Sequence, residues 1–187
     1  LAVGRRGVFS MCTGAGKSYT ALACMVAFAK QVQEQLAVFI ICPQIHLVGQ
    51  WEEDEIHWGP LPIIAHSQSK NRYWKEDLVK AYKRFRNHGE PFVCITTNDT
   101  FSGDAMQPII ARFREEQNVL IVIDEAHNFG AKSLAACLPQ NISNRIALSA
   151  TMKRYRDKKG TKLLFDYFGE KCVEYEIKQA IEDGALT

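Results

Sequence analysis

The sequence predicts an α/β fold with a mostly parallel central sheet and helices on both faces. Continuous apolar segments such as Leu36–Cys42 and Asn118–Ile123 are typical of strands that are buried on both faces. Longer segments with helical periodicity, such as Asn71–Asn87, lie between these runs. A glycine-containing turn at Ser10–Tyr19 joins the first predicted strand to the first predicted helix. Strands that alternate with helices in this way favour a parallel sheet.

The elements follow one another in a regular order. The predicted strands are Gly7–Met11, Leu36–Cys42, Pro62–Ala65, Phe92–Thr97, Asn118–Ile123, Arg145–Leu148 and Cys172–Ile177. The predicted helices are Thr20–Lys30, His46–His57, Asn71–Asn87, Asp104–Glu116, Ala131–Leu138, Thr161–Phe168 and Lys178–Asp183. The first helix is rich in good helix formers, and the third carries an apolar stripe at Trp74, Leu78, Ala81 and Phe85. Pro139 stops the helix that precedes it.

Composition limits the classes of protein to consider. The 187 residues, 47% of them hydrophobic, suit one domain with a sizeable core. A net charge of +2, from 23 basic and 21 acidic residues, argues against a tail-type nucleic-acid binder but permits a local basic groove. No membrane span or signal peptide is evident, and six scattered cysteines without a C-x-x-C pair suggest free thiols in the cytoplasm. Because the chain begins with Leu1, we expect it to be part of a longer protein.

The turn at Ser10–Tyr19, with sequence SMCTGAGKSY, has the pattern of a phosphate-binding loop. Gly14 and Gly16 permit backbone angles that direct peptide N–H groups around an anion. Lys17 would reach the outer phosphates and Ser18 would hold a magnesium ion. The usual pattern has glycine at the position of Met11, so a glycine-rich turn before an ordinary helix is the alternative.

Two carboxylates end the most strand-like segment of the chain, Asn118–Ile123. Ligands of parallel sheets bind beyond the carboxyl ends of the strands, so Asp124 and Glu125 should share an edge with the glycine loop. Asp124 suits a magnesium ion, and Glu125 suits activating a water that attacks a γ-phosphate. The alternative is a pair of solvated acids that cap the next helix.

These motifs resemble those of the first RecA-like domain of superfamily two helicases and translocases, the DEAD/DEAH-box proteins. The matching segments are Met11–Ser18 (motif I), Cys42–Trp51 (Ia), Ile95–Phe101 (Ib), Asp124–His127 (II, D-E-A-H) and Leu148–Met152 (III, L-S-A-T-M). The segments R-G-V-F-S-M, H-L-V-G-Q-W, Y-F-G-E and A-I-E-D-G-A-L-T look like the restriction-endonuclease helicase-subunit type. The resemblance implies a RecA-like P-loop fold over residues 1–187.

The resemblance also implies a role for each matching residue. The ATP phosphates and Mg²⁺ would be bound by Thr13, Gly14, Ala15, Gly16, Lys17 and Ser18. The catalytic residues would be Lys17, Asp124 and Glu125, with Ser18 and Asp124 at the metal. The nucleotide state would be coupled to nucleic acid and to a second domain by His127, Ser149 and Thr151. Nucleic acid, with DNA favoured over RNA, would be contacted by Pro43, Gln44, Thr96 and Thr97.

Two motifs depart from the family pattern, and each has an ordinary structural alternative. Met152 stands where many relatives have proline, and Gln44 stands where threonine is common. The hydroxyls of Ser149 and Thr151 would otherwise cap backbone groups at a strand end. The residues of motifs Ia and Ib would otherwise form plain strand-to-helix turns.

The sequence contains two basic segments, residues 70–86 and residues 153–159. Residues 70–86 hold seven basic and two acidic residues, and we interpret them as an amphipathic helix with a solvated basic face, because Trp74 falls on its apolar stripe. A nucleic-acid-facing helix is the alternative. Residues 153–159 (KRYRDKK) are predicted to form a mobile, solvated loop, with contact to a second domain or nucleic acid as the alternative.

The implied function is that of the motor domain of an ATP-dependent helicase or translocase. A second RecA-like domain of the same parent chain, absent from these residues, would supply arginines worth ~10³–10⁵ in rate. We therefore expect residues 1–187 alone to bind nucleotide weakly and to hydrolyse it slowly or not at all. The alternatives are a P-loop NTPase of another class, such as a nucleotide kinase, or a non-catalytic RecA-like scaffold.

Overall fold

The computed structural model describes residues 5–55, 59–114 and 118–184. The strands in these ranges are β1 Arg6–Met11, β2 Ala37–Cys42, β3 Ile63–Ala65, β4 Phe92–Thr97, β5 Val119–Ile123, β6 Asn144–Ser149 and β7 Lys171–Tyr175. They form one sheet in the order β3-β4-β2-β5-β6-β1-β7, and each described pairing is parallel. The predicted α/β class with a parallel sheet is therefore confirmed.

The sequence of strand β2 is apolar at every position, without alternating polar residues, because the strand is buried on both faces. All six of its residues are buried, and it lies between β4 and β5. Phe39 and Ile41 pack into the core on one face of the sheet, while Val38 and Ile40 pack into the core on the other face. Helices cover both faces, so a strand at this position has no solvated side.

The helices lie in the connections between successive strands. They are α1 Lys17–Gln31, α2 Ile45–Glu55, α3 Trp74–His88, α4 Asn98–Ser102, α5 Gln107–Ile110, α6 Lys132–Ala135, α7 Lys158–Phe168 and α8 Ile177–Glu182, with a 3-10 helix at Ala126–Gly130. The prediction did not include α4 or the 3-10 helix. The end of the helix predicted at His46–His57 lies outside the described residues beyond Glu55.

The long helix predicted at Asp104–Glu116 is wrong, because only Gln107–Ile110 is helical in the described part of that range. Pro108 lies in the first turn of this helix, where its missing N–H is tolerated, and it would break a helix that began at Asp104. The Asn141 side chain donates to the carbonyls of Ile110 and Phe113, at 3.1 and 2.8 Å. These carbonyls therefore have partners without further helical turns. Residues 115 and 116 lie outside the described ranges.

Helix α3 has the predicted amphipathic form. Its buried residues are Trp74, Leu78, Ala81, Tyr82 and Phe85. Phe85 makes an edge-to-face contact with Phe92, and Gly89 ends the helix with a φ of 69°. Trp74 therefore belongs to the core, as the apolar stripe predicted.

Candidate functional site

The parallel register sets the order of the candidate motifs along one edge of the sheet. The ends of β4, β2, β5, β6 and β1 carry motifs Ib, Ia, II, III and I, in that order. Ser10 of β1 is paired with Ser149 of β6, and Ile123 of β5 with Ala147 of β6. The glycine loop and the two carboxylates are therefore separated by one strand, which ends in the L-S-A-T-M segment.

The glycine loop begins one residue later than the usual pattern suggests. Met11 is the last residue of β1, where it is buried and paired with Tyr175 of β7. Gly14 and Gly16 have φ values of 81° and 79°, which residues with a Cβ rarely adopt. The conformational need for glycine thus falls on Gly14 and Gly16, and the strand position of Met11 accommodates a side chain.

Lys17 and Ser18 open α1 and lie at its positive dipole end. The ammonium of Lys17 donates to the carbonyl oxygens of Met11 and Cys12, at 3.2 and 3.4 Å, so it lies over the loop. Thr13 and Gly14 are exposed, whereas Ala15, Gly16, Lys17 and Ser18 are half-buried. The backbone N–H groups of this helix start are suited to an anion.

Asp124 is a buried carboxylate with a partner on each oxygen. Its Oδ1 accepts the backbone N–H of Glu125 at 2.9 Å, and its Oδ2 accepts the indole N–H of Trp51 at 3.1 Å. Sequence reasoning included Trp51 in a motif but gave it no role, because the pattern does not reveal that α2 turns this indole toward β5. Carboxylate and hydroxyl oxygens such as those of Asp124 and Ser18 are the ligand type that Mg²⁺ prefers.

Glu125 has a left-handed backbone conformation, with φ 46° and ψ 49°. This region is uncommon for a residue with a side chain, and such strain is concentrated at functional sites. The turn starts the 3-10 helix and directs the Glu125 carboxylate toward His127 and Ser149. Glu125 Oε2 lies 3.3 Å from His127 Nδ1 and 3.5 Å from Ser149 Oγ.

Ser149 connects this cluster to the end of β6. Its hydroxyl donates to the carbonyl of Thr151 at 2.8 Å, and its oxygen lies 3.0 Å from His127 Nδ1. Because Ser149 has one hydroxyl proton, this arrangement is satisfied when Nδ1 of His127 carries a proton and donates. The structure thus brings together Glu125, His127, Ser149 and Thr151, which the sequence placed in two separate motifs.

The loop at residues 153–159 differs from its prediction. Arg154 donates to the carbonyl of His127 and, at 2.8 Å, to the carboxylate of Asp157. A Cβ at Gly130 would collide with the Arg154 side chain, so the absence of a side chain there makes room for it. The prediction of a solvated loop is therefore wrong for Arg154 and Asp157, because both pack against the helical segments on either side. It is also wrong for Lys158 and Lys159, which form the start of α7.

Asp157 also caps α7. The N–H of Gly160 and, secondarily, Arg154 hold the pKa of this carboxyl below its usual value. A lowered folded-state pKa means that the contribution of Asp157 to stability is present above the ordinary carboxyl pKa and is lost as the pH falls. The cap and the ion pair thus fix the chain that follows the L-S-A-T-M segment at neutral pH.

The candidate nucleic-acid residues lie at the ends of β2 and β4. Pro43 is half-buried, Gln44 is exposed, and Thr97 caps α4 by accepting the N–H of Thr100 at 3.3 Å. Thr96 is fully buried, and its hydroxyl donates to Ala65 of β3 at 2.7 Å. In this arrangement Thr96 supports the strand end, and its side chain is not presented at the surface.

The architecture is that of the RecA-like domains found in helicases. More particularly, a family model described as the res subunit of type III restriction enzymes matches residues 3–154, and the chain belongs to this family. The helicase-type domain with a RecA-like fold that the sequence implied is thereby confirmed. Among the described residues, a search for candidate membrane-spanning helices finds none.

Individual relatives are similar at low identity. A Leishmania infantum protein named bifunctional helicase and thymine dioxygenase JBP2 is 27% identical over 157 residues, covering 77% of this chain. A nuclease-deletion mutant of the Type ISP restriction-modification enzyme LlaGI, solved with a DNA substrate mimic, has a TM-score of 0.72 and 18% identity over 97% of this chain. The SWI2/SNF2 ATPase core of Sulfolobus solfataricus, solved with double-stranded DNA, has a TM-score of 0.59 and 21% identity over 86%.

The chain spans only a small part of each of these proteins. It covers 13% of the Leishmania protein, 19% of the LlaGI chain and 31% of the Sulfolobus chain.

Proposed function

We propose that residues 1–187 form the ATP-binding motor domain of an ATP-dependent nucleic-acid helicase or translocase. The domain would act with a second RecA-like domain of the same parent chain, in the cytoplasm. ATP binding would close the two domains, and hydrolysis would release them and advance the protein along a strand. The observation that carries the proposal is the shared sheet edge, where a phosphate-type loop and two carboxylates lie one strand apart.

The nucleotide would bind at the start of α1. Thr13, Gly14, Ala15 and Gly16 would surround its phosphates with backbone N–H groups, and Lys17 would exchange its carbonyl partners for the outer phosphates. Ser18 and Asp124 would hold Mg²⁺, whose remaining ligands are expected to be phosphate oxygens and water. The magnesium ion would neutralise charge on the phosphates during transfer.

Glu125 would act as the general base toward the attacking water. Its carboxylate is partly exposed and lies beside Asp124, within reach of His127 and Ser149. If Glu125 moved on loss of the γ-phosphate, its contacts with His127 and Ser149 would change. The contact of Ser149 with Thr151 would change in turn. These contacts support the proposed coupling of the nucleotide state to the second domain and to nucleic acid.

Nucleic acid would lie across the ends of β2 and β4, where Pro43, Gln44 and Thr97 occupy turns next to the ATP site. Thr96 would act there by holding the strand end to β3. Contacts of this type to the phosphate backbone are independent of sequence. DNA is favoured over RNA because two similar structures were solved with DNA or a DNA mimic.

The alternatives make different demands on the chain. A nucleotide kinase needs a lid that binds a phosphate acceptor, and the D-E-A-H and L-S-A-T-M segments have no role in it. A non-catalytic scaffold has no need for the left-handed backbone at Glu125 or for the buried carboxylate of Asp124.

Binding of Mg²⁺·ATP to the 187-residue chain tests the nucleotide site. Isothermal titration with the wild type should give saturable binding, and Lys17→Ala should weaken it by roughly 10- to 100-fold, the value of a hydrogen bond to a charged group. Lys30→Ala, in the last turn of the same helix, serves as the control and should bind like the wild type. Equal affinities for Lys17→Ala and the wild type would contradict the site.

A further inference from the structure

Trp51 is a buried tryptophan whose indole is directed at a carboxylate. Trp51 is 1% exposed, and Asp124, which accepts the indole N–H at Oδ2, is 8% exposed. The two residues are 73 positions apart, so α2 and the end of β5 must be packed correctly for the contact to form. A buried carboxylate gains more from such a contact than an exposed one does, because water does not compete for its oxygens.

The indole N–H of Trp51 and the backbone N–H of Glu125 have different roles at the Asp124 carboxylate. The backbone N–H of Glu125 fixes Oδ1, but this neighbouring donor alone does not define the rotation of the carboxylate plane, which is a broad torsion. The indole is a donor that cannot ionise, and packing fixes its direction.

We infer that Trp51 is a positioning residue for the magnesium ligand Asp124, holding Oδ2 so that the free lone pairs of the carboxylate face the metal. The inference rests on the proposed function of Asp124. Groups that hydrogen-bond to a metal ligand commonly change metal affinity 10- to 100-fold when they are removed. Trp51 therefore controls how much Mg²⁺ is needed for Mg²⁺-dependent ATP binding, while the phosphate loop controls ATP affinity itself.

The alternative role of Trp51 is only to fill the core between α2 and the sheet. Loss of packing lowers the stability of the whole domain and has no reason to alter Mg²⁺ dependence separately from ATP affinity. The chain offers a matched control, because Trp74 is also buried but lies in the core on the other face of the sheet. Phenylalanine retains much of the aromatic packing and removes the N–H donor at either position.

The experiment titrates Mg²⁺ against a fixed concentration of the 187-residue chain and a fluorescent N-methylanthraniloyl ATP. Trp51→Phe should raise the Mg²⁺ concentration for half-maximal ATP binding by about tenfold, and it should leave the affinity in EDTA unchanged. Trp74→Phe should match the wild type in both quantities. An unaltered Mg²⁺ dependence in Trp51→Phe would overturn the inference.

A second measurement keeps the inference testable if Trp51→Phe fails to fold. The chain has three tryptophans. The indole N–H resonances that disappear in Trp58→Phe and Trp74→Phe belong to those two residues, so the remaining wild-type resonance is that of Trp51. Addition of Mg²⁺·ATP should shift this resonance, and ATP in EDTA should shift it much less. Identical spectra in the two conditions would overturn the inference.

The two proposals fail in different ways. A wild-type chain that binds no ATP with or without Mg²⁺ would remove the ATP site and the role of Trp51 together. The other case is that the wild type binds Mg²⁺·ATP, Lys17→Ala binds it more weakly, and Trp51→Phe has a normal Mg²⁺ dependence. This result would rule out only the role of Trp51.

Discussion

Glu125→Gln in the full-length protein should lower ATP turnover by about 10²–10⁴-fold, the usual contribution of a general base. The amide keeps the shape of the side chain and its reach toward His127 and Ser149, but it cannot take a proton from water. ATP affinity should remain within about twofold, because Glu125 is assigned to the water and has no role at the phosphates. Steady-state turnover and nucleotide titration of the same preparation measure the two quantities.

Glu90→Gln is the matched control for this substitution. Glu90 is exposed and forms an ion pair with Arg84 at 3.4 Å on the surface, away from the edge that carries the motifs. It should leave turnover and affinity unchanged. Normal turnover in Glu125→Gln would show that Glu125 is not the general base. A parallel loss of turnover and ATP binding would indicate that the substitution damages the whole site.

Arg145→Ala should lower the free energy of unfolding of the 187-residue chain by about 3–5 kcal/mol, since it leaves several buried carbonyls without donors. Arg145 donates to the carbonyls of Ile142, Tyr167, Pro139 and Gln140 while it is 6% exposed. Its guanidinium also lies 3.9 Å from the centre of the Tyr167 ring. The residue thus joins the start of β6 to the end of α7 and to the loop between α6 and β6.

Urea unfolding followed by circular dichroism measures this loss. Arg145→Lys should recover only part of it, because an ammonium cannot match the planar fork of donors. Arg84→Ala removes an exposed arginine that is paired at the surface, and it should change stability by no more than about 0.5 kcal/mol. A loss for Arg145→Ala as small as that for Arg84→Ala would show that the buried contacts are not important for stability.

Much of the fold was predictable because buried parallel strands have a strong signal in sequence. The run at β2 is apolar throughout, since neighbours on each side and helices on both faces leave it no solvated position. The helix predicted at Asp104–Glu116 failed at its start because of Pro108. It failed at its end because a distant side chain, that of Asn141, satisfies the carbonyls there. Local periodicity contains no information about such long-range caps.

In the candidate site too, local features were predictable from the sequence and long-range contacts were not. The glycine loop and the carboxylates were identified from sequence, because each is a short segment in which backbone conformation and side-chain chemistry are local. Trp51 and Arg154 were missed as site residues, since their roles depend on contacts with Asp124 and His127 across the fold. The exposure of each candidate was also not predictable, as the fully buried hydroxyl of Thr96 shows.

The most direct measurement of the proposed motor function is ATP turnover by the full-length protein with no nucleic acid, and with single- and double-stranded DNA and RNA in parallel. We expect turnover to rise severalfold with nucleic acid, more with DNA than with RNA, and to be lost in Lys17→Ala under every condition. Turnover that is the same with and without every nucleic acid would contradict the assignment as a motor.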